Sequence, residues 1–329
     1  MKSLVLTNDG LQLADTPIPP VLPGDVRIEV RSVGICRTDL SIWNGDLDAE
    51  LPLVLGHEIG GVVHESSVPE LVPGTPLTTE IDLSCGRCWY CKRQMRHLCP
   101  KRETLGITVD GGLSEFLSVP VELVHQLPEG VDPTTATFVE PLASAIETWK
   151  RSPAEEDEPI AVIGTGKIGI LTAQVYDAFG AEVHLIGRNK FQLGLARQLG
   201  LLNTINTNRT EWREDILQRT RGVGPRIVVE ATGSPEGMKM ALSIVRSRGS
   251  VAVKSMHGKD VPLDTTDIVN REIEIVGTSR GPFEDAIDML AKGRIEVRKL
   301  ISREFRLESG AEAYEYASRA NVSKVIINI

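Results

Sequence analysis

Cys36 and His57 are the first residues whose types and spacing suggest chemistry. A soft sulfur donor, an imidazole and the adjacent carboxylate of Glu58 are the ligand types that hold a zinc ion. Cys36 lies within Gly34-Ile35-Cys36-Arg37-Thr38-Asp39, which sets a thiol, a fixed cation, a hydroxyl and a carboxylate on consecutive positions. Gly56-His57-Glu58 comes next, with His57 twenty-one residues after Cys36. Taken singly, Cys36 would read as a small buried hydrophobe and His57 as a core histidine. Together they read as a catalytic metal site with one coordination position left for substrate. Glu58 either binds the metal or sits just behind it. Glu140, in Val139-Glu140-Pro141-Leu142, is a further candidate ligand at the entry to a helix joining two domains; its plain alternative is a charged helix start.

A second metal pattern is independent of the first. Cys85, Cys88, Cys91 and Cys99 are four of the chain's 5 cysteines, in the spacing Cys-x2-Cys-x2-Cys-x7-Cys. Four thiolates complete a tetrahedral zinc and leave no open position, so this site is expected to be structural. His97 lies in the same lobe, but four sulfurs need no fifth ligand, and it reads as a surface residue. Disulfides are the competing reading. Met1 to Asp9 runs straight into a strand-like pattern without a signal peptide, so a cytoplasmic setting with reduced thiols is expected, which favours metal.

The third pattern is Gly164-Thr165-Gly166-Lys167-Ile168-Gly169, between the β-branched run Ile160-Ala161-Val162-Ile163 and a helical stretch from Ile170 to Phe179. In that setting Gly164, Gly166, Lys167, Ile168 and Gly169 form a turn that lets a pyrophosphate approach a helix N-terminus. About twenty residues on, an NAD enzyme places an acid at the tip of the second strand. Here Gly187 stands at that point, with Arg188 and Lys190 just after it. A small residue flanked by cations suits a 2′-phosphate, so NADP(H) is favoured over NAD(H). The bland reading of Arg188 is a solvated charge.

The elements that must position these groups fall into two kinds. Lys2 to about Leu127 reads as many short strands broken by turn signals such as Pro23-Gly24, Pro73-Gly74 and Asp110-Gly111-Gly112. Val26-Arg27-Ile28-Glu29-Val30 alternates as a half-buried strand does. Asp132-Pro133-Thr134 begins a helical pattern that runs to Trp149. From Ile160 strands and helices alternate, which predicts a mostly parallel, doubly wound sheet of six strands. The fold class is therefore α/β with a β-rich partner domain. The expected domains are residues 1–146 with 296–329, holding a zinc lobe at about 84–100, and residues 147–295 for the cofactor. A net charge of -9 argues against a nucleic-acid surface. No apolar run reaches membrane length.

These motifs resemble the zinc-dependent medium-chain dehydrogenase/reductase family over nearly the whole chain. Gly34 to Asp39 looks like its first zinc-ligand motif, Gly56-His57-Glu58 with Gly60-Gly61-Val62-Val63 like its GHE signature, and the cysteine lobe has its spacing. Glu140-Pro141-Leu142-Ala143 resembles the polyol branch that includes sorbitol and threonine dehydrogenases, and Glu230-Ala231-Thr232-Gly233 is similar to a cofactor-domain signature that brings Thr232 to the cofactor. The resemblance implies a GroES-like catalytic domain closed by the C-terminal tail, with a Rossmann domain inserted. It also implies two zinc ions per chain, cofactor binding before substrate, and a homodimer or homotetramer. The substrate expected is a small alcohol, polyol or sugar, or the matching carbonyl. In the family, the counterpart of Thr38 passes the substrate proton, that of Asp39 backs the zinc-bound histidine, and that of Arg37 reaches the pyrophosphate. Trp43, Leu105 and Arg280 stand at substrate-pocket positions. Two departures are Ser41, where many relatives carry a relay histidine, and Gly187. Two rivals remain: a zinc-independent quinone or enone reductase of the same fold, disfavoured by Cys36 and His57, and a non-catalytic NADP(H)- and zinc-binding redox sensor.

Overall fold

The computed structural model describes residues Met1–Ile329 and divides the chain into two compact units. The first comprises Met1–Glu140, Ile287–Lys292 and Ile301–Ile329; the second comprises Pro141–Ala286 and Gly293–Leu300.

The first unit is built on a mixed sheet. Its order is Val124–Gln126, Pro76–Thr79, Glu58–Ser66, Asp25–Gly34, Lys324–Asn328 and Ile301–Arg306, with Phe116–Pro120 pairing on Asp25–Gly34 as well. The central strand Asp25–Gly34 alternates buried and half-buried residues along most of its length, as its sequence pattern predicts. Val26, Ile28, Val30 and Val33 enter the core beside Ile59 and Val325. Strand register sets the neighbours of Gly34. It is paired with Glu58 on one side and with Ile326 on the other, so the second half of the GHE motif and the C-terminal strand flank the same glycine.

The second unit holds a parallel sheet in the order Thr204–Asn206, Glu182–Gly187, Pro159–Ile163, Ile227–Glu230, Ser250–Val253 and Glu274–Gly277. This is the doubly wound order, and the strand direction of travel reverses beside Pro159–Ile163. The glycine turn after Ile163 and the Ala231-Thr232 turn after Glu230 therefore sit at the carboxyl ends of adjacent strands, where such sheets bind ligands.

Three local readings change. The helix after the glycine turn begins at Lys167, not Ile170, because Gly166 takes an extended conformation (φ -72°, ψ 175°) and its carbonyl accepts from Ile170 N–H. The helical pattern from Asp132 to Trp149 is two helices, Pro133–Ala136 and Val139–Arg151. Asp132 caps the first through Thr135 N–H at 2.8 Å, and Phe138 turns fully into the interior between them. A short helix, Thr265–Asn270, capped by Asp264, carries no apolar face that would mark it in the sequence. No helix is long and apolar enough to cross a membrane.

Helix Pro133–Ala136 lies directly on the strand that carries Glu58. A Cβ on Gly60 would land on the Pro133 backbone, which cannot swing aside as a side chain can. Gly60→Ala is expected to lower stability by about 1–3 kcal/mol, read as a drop in the urea midpoint. An unchanged midpoint would refute the close packing as a constraint.

Candidate active site

Cys36 is the residue before helix Arg37–Trp43, in an extended conformation, and Asp39 reaches back to accept from Cys36 N–H at 2.7 Å. The Cys-x-x-Asp spacing is thus an N-terminal capping arrangement, which aims the Cys36 side chain off the helix start. Glu58 opens the strand Glu58–Ser66 and His57 stands just before it, after Gly56, whose φ of +93° turns the chain there. Cys36, His57 and Glu58 bring ligand atoms within 4.8 Å of one another, and His57 and Glu58 are buried. Glu140 is buried at the start of Val139–Arg151 but falls outside this three-donor set. The donors are one thiol, one imidazole and one carboxylate, three protein ligands of the kinds that hold a zinc with an open position.

Asp39 supports the set from behind. Its Oδ1 is 3.2 Å from His57 Nδ1, though poorly aligned for a hydrogen bond, and accepts from Gly56 N–H at 3.3 Å. With Nδ1 facing the carboxylate, Nε2 is the nitrogen for a metal. Burial by itself pushes the His57 pKa down, but the Asp39 carboxylate and the Cys36 thiol override it and hold the imidazole well above its ordinary value. Thr38 is half-buried with Oγ1 3.9 Å from Cys36 Sγ, and Arg37 is exposed. Ser41 is half-buried, and its carbonyl accepts from Asp46 and Leu47 N–H.

Two C-terminal side chains join the site without having shown any signal in the sequence. Lys324, fully buried, pairs with Glu58 Oε2 and donates to Thr137 O at 3.3 Å, with its ammonium 5.0 Å from the Phe138 ring centroid. Tyr314 is also fully buried; its hydroxyl has no hydrogen-bond partner, and its ring meets Trp43 edge-on at 5.8 Å. Burial, with the negative charges of Asp39, Cys36 and Glu58, pushes its pKa well up, so it stays a neutral phenol. A terminal lysine in an apolar strand reads as a solvated end; only pairing of that strand beside Gly34 brings it to Glu58. Of the pocket positions, Leu105 is a core residue at 3% exposure and Trp43 packs against the same core, while Arg280 lies half-buried in the second unit.

The four-cysteine lobe comes together as its spacing predicts. Cys91 Sγ is 3.9 Å from Cys85 Sγ and 3.4 Å from Cys88 Sγ, and Cys99 completes a set within 4.8 Å. Tetrahedral bonds of about 2.3 Å place neighbouring sulfurs roughly 3.8 Å apart, so the cage fits a zinc. All four thiols are free. Backbone N–H groups of Arg87 and Cys88 lower the Cys85 pKa to about 6, and a hydrogen bond from Ser84 lowers that of Cys91. His97 lies at the helical turn just before Cys99 and is not one of the four donors.

In the second unit, the glycine turn is shaped for close approach. Gly164 has φ +118°, and a Cβ there would strike Ala231 O; a Cβ on Gly169 would strike Gly164 O. A Cβ on Gly166 would meet nothing within 4 Å, so that glycine faces open space at the N-terminus of helix Lys167–Ala178, where a phosphate could rest. Ile168 comes after Lys167 in the first turn. Glu230 Oε1 accepts from Thr232 N–H at 2.9 Å and from its hydroxyl, which holds the neighbouring turn. Gly187 ends its strand with Arg188 and Lys190 exposed beyond it. The space in front of Gly187 is not empty: an added Cβ would meet Thr165 Cγ2 at 2.5 Å and Oγ1 at 2.9 Å. Gly187 is therefore set by packing against Thr165.

Known proteins share this architecture. Residues 22–129 match the alcohol dehydrogenase GroES-like domain and residues 168–292 the zinc-binding dehydrogenase domain. The chain is 31% identical to D-arabitol-phosphate dehydrogenase from Enterococcus avium, over 97% of this chain and 94% of that one. Its structure is similar to a zinc-binding dehydrogenase from Sinorhizobium meliloti 1021 bound to NADP, with 29% identity, TM-score 0.94, and coverage of 100% and 99% of the two chains. It is also similar to an alcohol dehydrogenase from Escherichia coli CFT073 complexed with NADH, with 26% identity, TM-score 0.93 and the same coverage.

The raised His57 pKa has a directional consequence. In the metal-free protein the imidazole holds its proton more tightly than a free histidine does; this stabilises the fold at low pH and fades as pH climbs through the folded-state pKa. A metal must displace that proton. Zinc uptake at this site should therefore weaken as pH falls and release protons on binding, as measured by zinc titration in buffers of different ionisation enthalpy. Uptake that is independent of pH across the neutral range would contradict this electrostatic picture.

Proposed function

The chain belongs to the zinc-type alcohol and polyol dehydrogenases of the medium-chain dehydrogenase/reductase family, and from that premise we propose that it transfers a hydride between NADP(H) and a small alcohol, polyol or sugar, or the matching carbonyl. The observation that carries the reading is the three-donor set Cys36, His57 and Glu58, backed by Asp39, in one chain with the open Gly166 turn.

Cys36, His57 and Glu58 hold the catalytic zinc in this reading, and Cys85, Cys88, Cys91 and Cys99 hold a structural one. When bound, zinc supplies Lewis acidity toward a substrate oxygen, and the nicotinamide supplies the hydride acceptor or donor. The chain's own residues do the rest. Thr38 takes the proton of the substrate hydroxyl, from a position beside Cys36. Ser41, a ribose hydroxyl or water then passes it on. Asp39 keeps His57 oriented so that one nitrogen faces the metal. Glu140, outside the three-donor set, is not taken as a direct ligand in this reading. Arg37 meets the cofactor pyrophosphate, and Gly164 to Gly169 cradle it, with Lys167 and Ile168 in the helical first turn.

The polyol preference draws on the resemblance of Glu140-Pro141-Leu142-Ala143 and on the named substrate of the arabitol-phosphate relative. NADP(H) is favoured because Arg188 and Lys190 stand at the strand tip with no acid at position 187. Similar structures hold NADP in one case and NADH in another, so this preference rests on those two cations. A cytoplasmic location, where the lobe thiols stay reduced, and a homodimer or homotetramer complete the proposal.

Cys36→Ser or His57→Ala is expected to abolish turnover in a panel of alcohols, polyols and sugars while cofactor binding survives. Turnover retained by a Cys36→Ser protein that has lost its metal would sink the catalytic-zinc assignment. Arg188→Ala should weaken NADP(H) binding by roughly tenfold or more, since charged hydrogen bonds contribute about 1.5–3 kcal/mol each, and leave NAD(H) binding nearly unchanged. Gly187→Asp, which collides with Thr165, should impair both cofactors. Equal loss of both cofactors in Arg188→Ala would remove the NADP preference.

A further inference from the structure

Lys254 is the residue after strand Ser250–Val253 in the second unit, at the carboxyl end of the parallel sheet. A lysine at such a tip ordinarily extends into water. Here the side chain is half-buried, and its ammonium is surrounded by oxygen atoms. On helix Val139–Arg151, Nζ donates to Ser144 Oγ at 2.7 Å and to Ser144 O at 3.1 Å. Just beyond strand Glu274–Gly277, it donates to Thr278 O and Ser279 O, each at 3.4 Å. Three ammonium protons are shared among four acceptors. The same elements meet again around it. The Ser144 hydroxyl donates to Ser279 O, Thr148 Oγ1 is 3.0 Å from Thr278 Oγ1, and a Cβ on Gly281 would strike Ala143 O.

The backbone beside Lys254 is tied in the other direction. Lys254 N–H donates to Glu230 O at 2.8 Å, and Ser255 Oγ accepts from Gly233 N–H at 2.7 Å. Glu230 and Gly233 bound the Ala231-Thr232 turn, against which Gly164 packs. Sheet order says why these tips matter. A dinucleotide spans the carboxyl ends of a doubly wound sheet on both sides of the point where the strand order reverses. The pyrophosphate falls at the Gly164–Gly169 turn after Pro159–Ile163, and the adenosine end lies toward Glu182–Gly187, where Arg188 and Lys190 stand. That leaves the nicotinamide end for the tips of Ile227–Glu230, Ser250–Val253 and Glu274–Gly277. Hydride transfer needs the ring placed to within about 1 Å, and separate strand tips hold one shape only when something ties them.

We propose that Lys254 is a positioning residue for the nicotinamide half of the cofactor: its ammonium clamps the tips of Ser250–Val253 and Glu274–Gly277 to helix Val139–Arg151 and so gives the ring a rigid edge. The proposal rests on the reading of the Gly164–Gly169 turn as the pyrophosphate cradle. Lys254 acts through the backbone of the two tips. It moves no proton and touches no reacting atom in this role.

Binding of whole and truncated cofactors to the full chain tests it. NADPH and NADH carry the ring; 2′-phospho-ADP-ribose and ADP-ribose keep the pyrophosphate and lack it. Lys254→Met should weaken binding of the whole cofactors by about tenfold, the scale of lost hydrogen bonds to a charged group, and leave the truncated ones unchanged. The emission of bound NADPH, which reports on the surroundings of the ring, should move toward that of free NADPH. Lys254→Arg, which keeps the charge and the donors, should recover most of the ring-dependent binding. Ser144→Ala removes one acceptor and leaves the lysine in place. It should shift the ratio of whole to truncated binding in the same direction by less, and it carries the test if the methionine protein does not fold. Equal weakening of whole and truncated cofactors would mark Lys254 as a general stabiliser of the unit and overturn the proposal. An unchanged ratio in Lys254→Met and Ser144→Ala would overturn it as well, while the cofactor site stands. Failure of the unmodified protein to bind any of the four molecules overturns the cofactor reading and the positioning role together.

Discussion

Negative charge without water is the constraint on which the site depends. Asp39 and Glu58 are both at 0% exposure, with the Cys36 thiol close by. Two like charges about 4 Å apart repel by about 4 kcal/mol even at an effective dielectric constant near 20. The chain answers each carboxylate differently. Asp39 faces His57 and the backbone N–H groups of Cys36 and Gly56; Glu58 faces Lys324. The raised pKa of His57 belongs to the same balance, since a proton on the imidazole is the positive charge that a metal ion would replace.

Glycines make the close approaches through which the two units work. In the first, Gly34 lets a lysine stem pass between two flanking strands. In the second, Gly164 and Gly169 bring backbone against backbone, while Gly166 is left facing open space. The two kinds are told apart by what an added carbon would touch. Where it meets protein, the glycine serves packing; where it meets nothing, the glycine keeps room for a ligand. Gly187 belongs to the first kind, because Thr165 fills the space before it. At that tip Arg188 and Lys190 project outward, while the glycine before them is held by packing.

The four-cysteine lobe stands apart from this arrangement. Its donors are close in the chain, its short helical turns hold them, and two of its thiols are lowered by local hydrogen bonds. Its four donors lie within fifteen residues of one another, which is why spacing alone located it.

What the sequence determined by itself is the local part. The cysteine spacing, the Cys36-to-Asp39 capping arrangement, the glycine turn between strand and helix, and the alternation that builds the six-stranded parallel sheet are all contacts within a few residues or repeats of one unit, and each leaves a periodic or positional trace. What only the tertiary structure decided are contacts between residues far apart in the chain. Glu58 joins the donor set while Glu140 does not, Lys324 reaches Glu58, Tyr314 is buried within reach of the charges of Asp39, Cys36 and Glu58, Leu105 belongs to the core, and Thr165 sits on Gly187. The physical reason is strand register. It sets Gly34 between Glu58 and Ile326, and a buried lysine has no mark in a sequence until the strand beside it supplies its counter-ion.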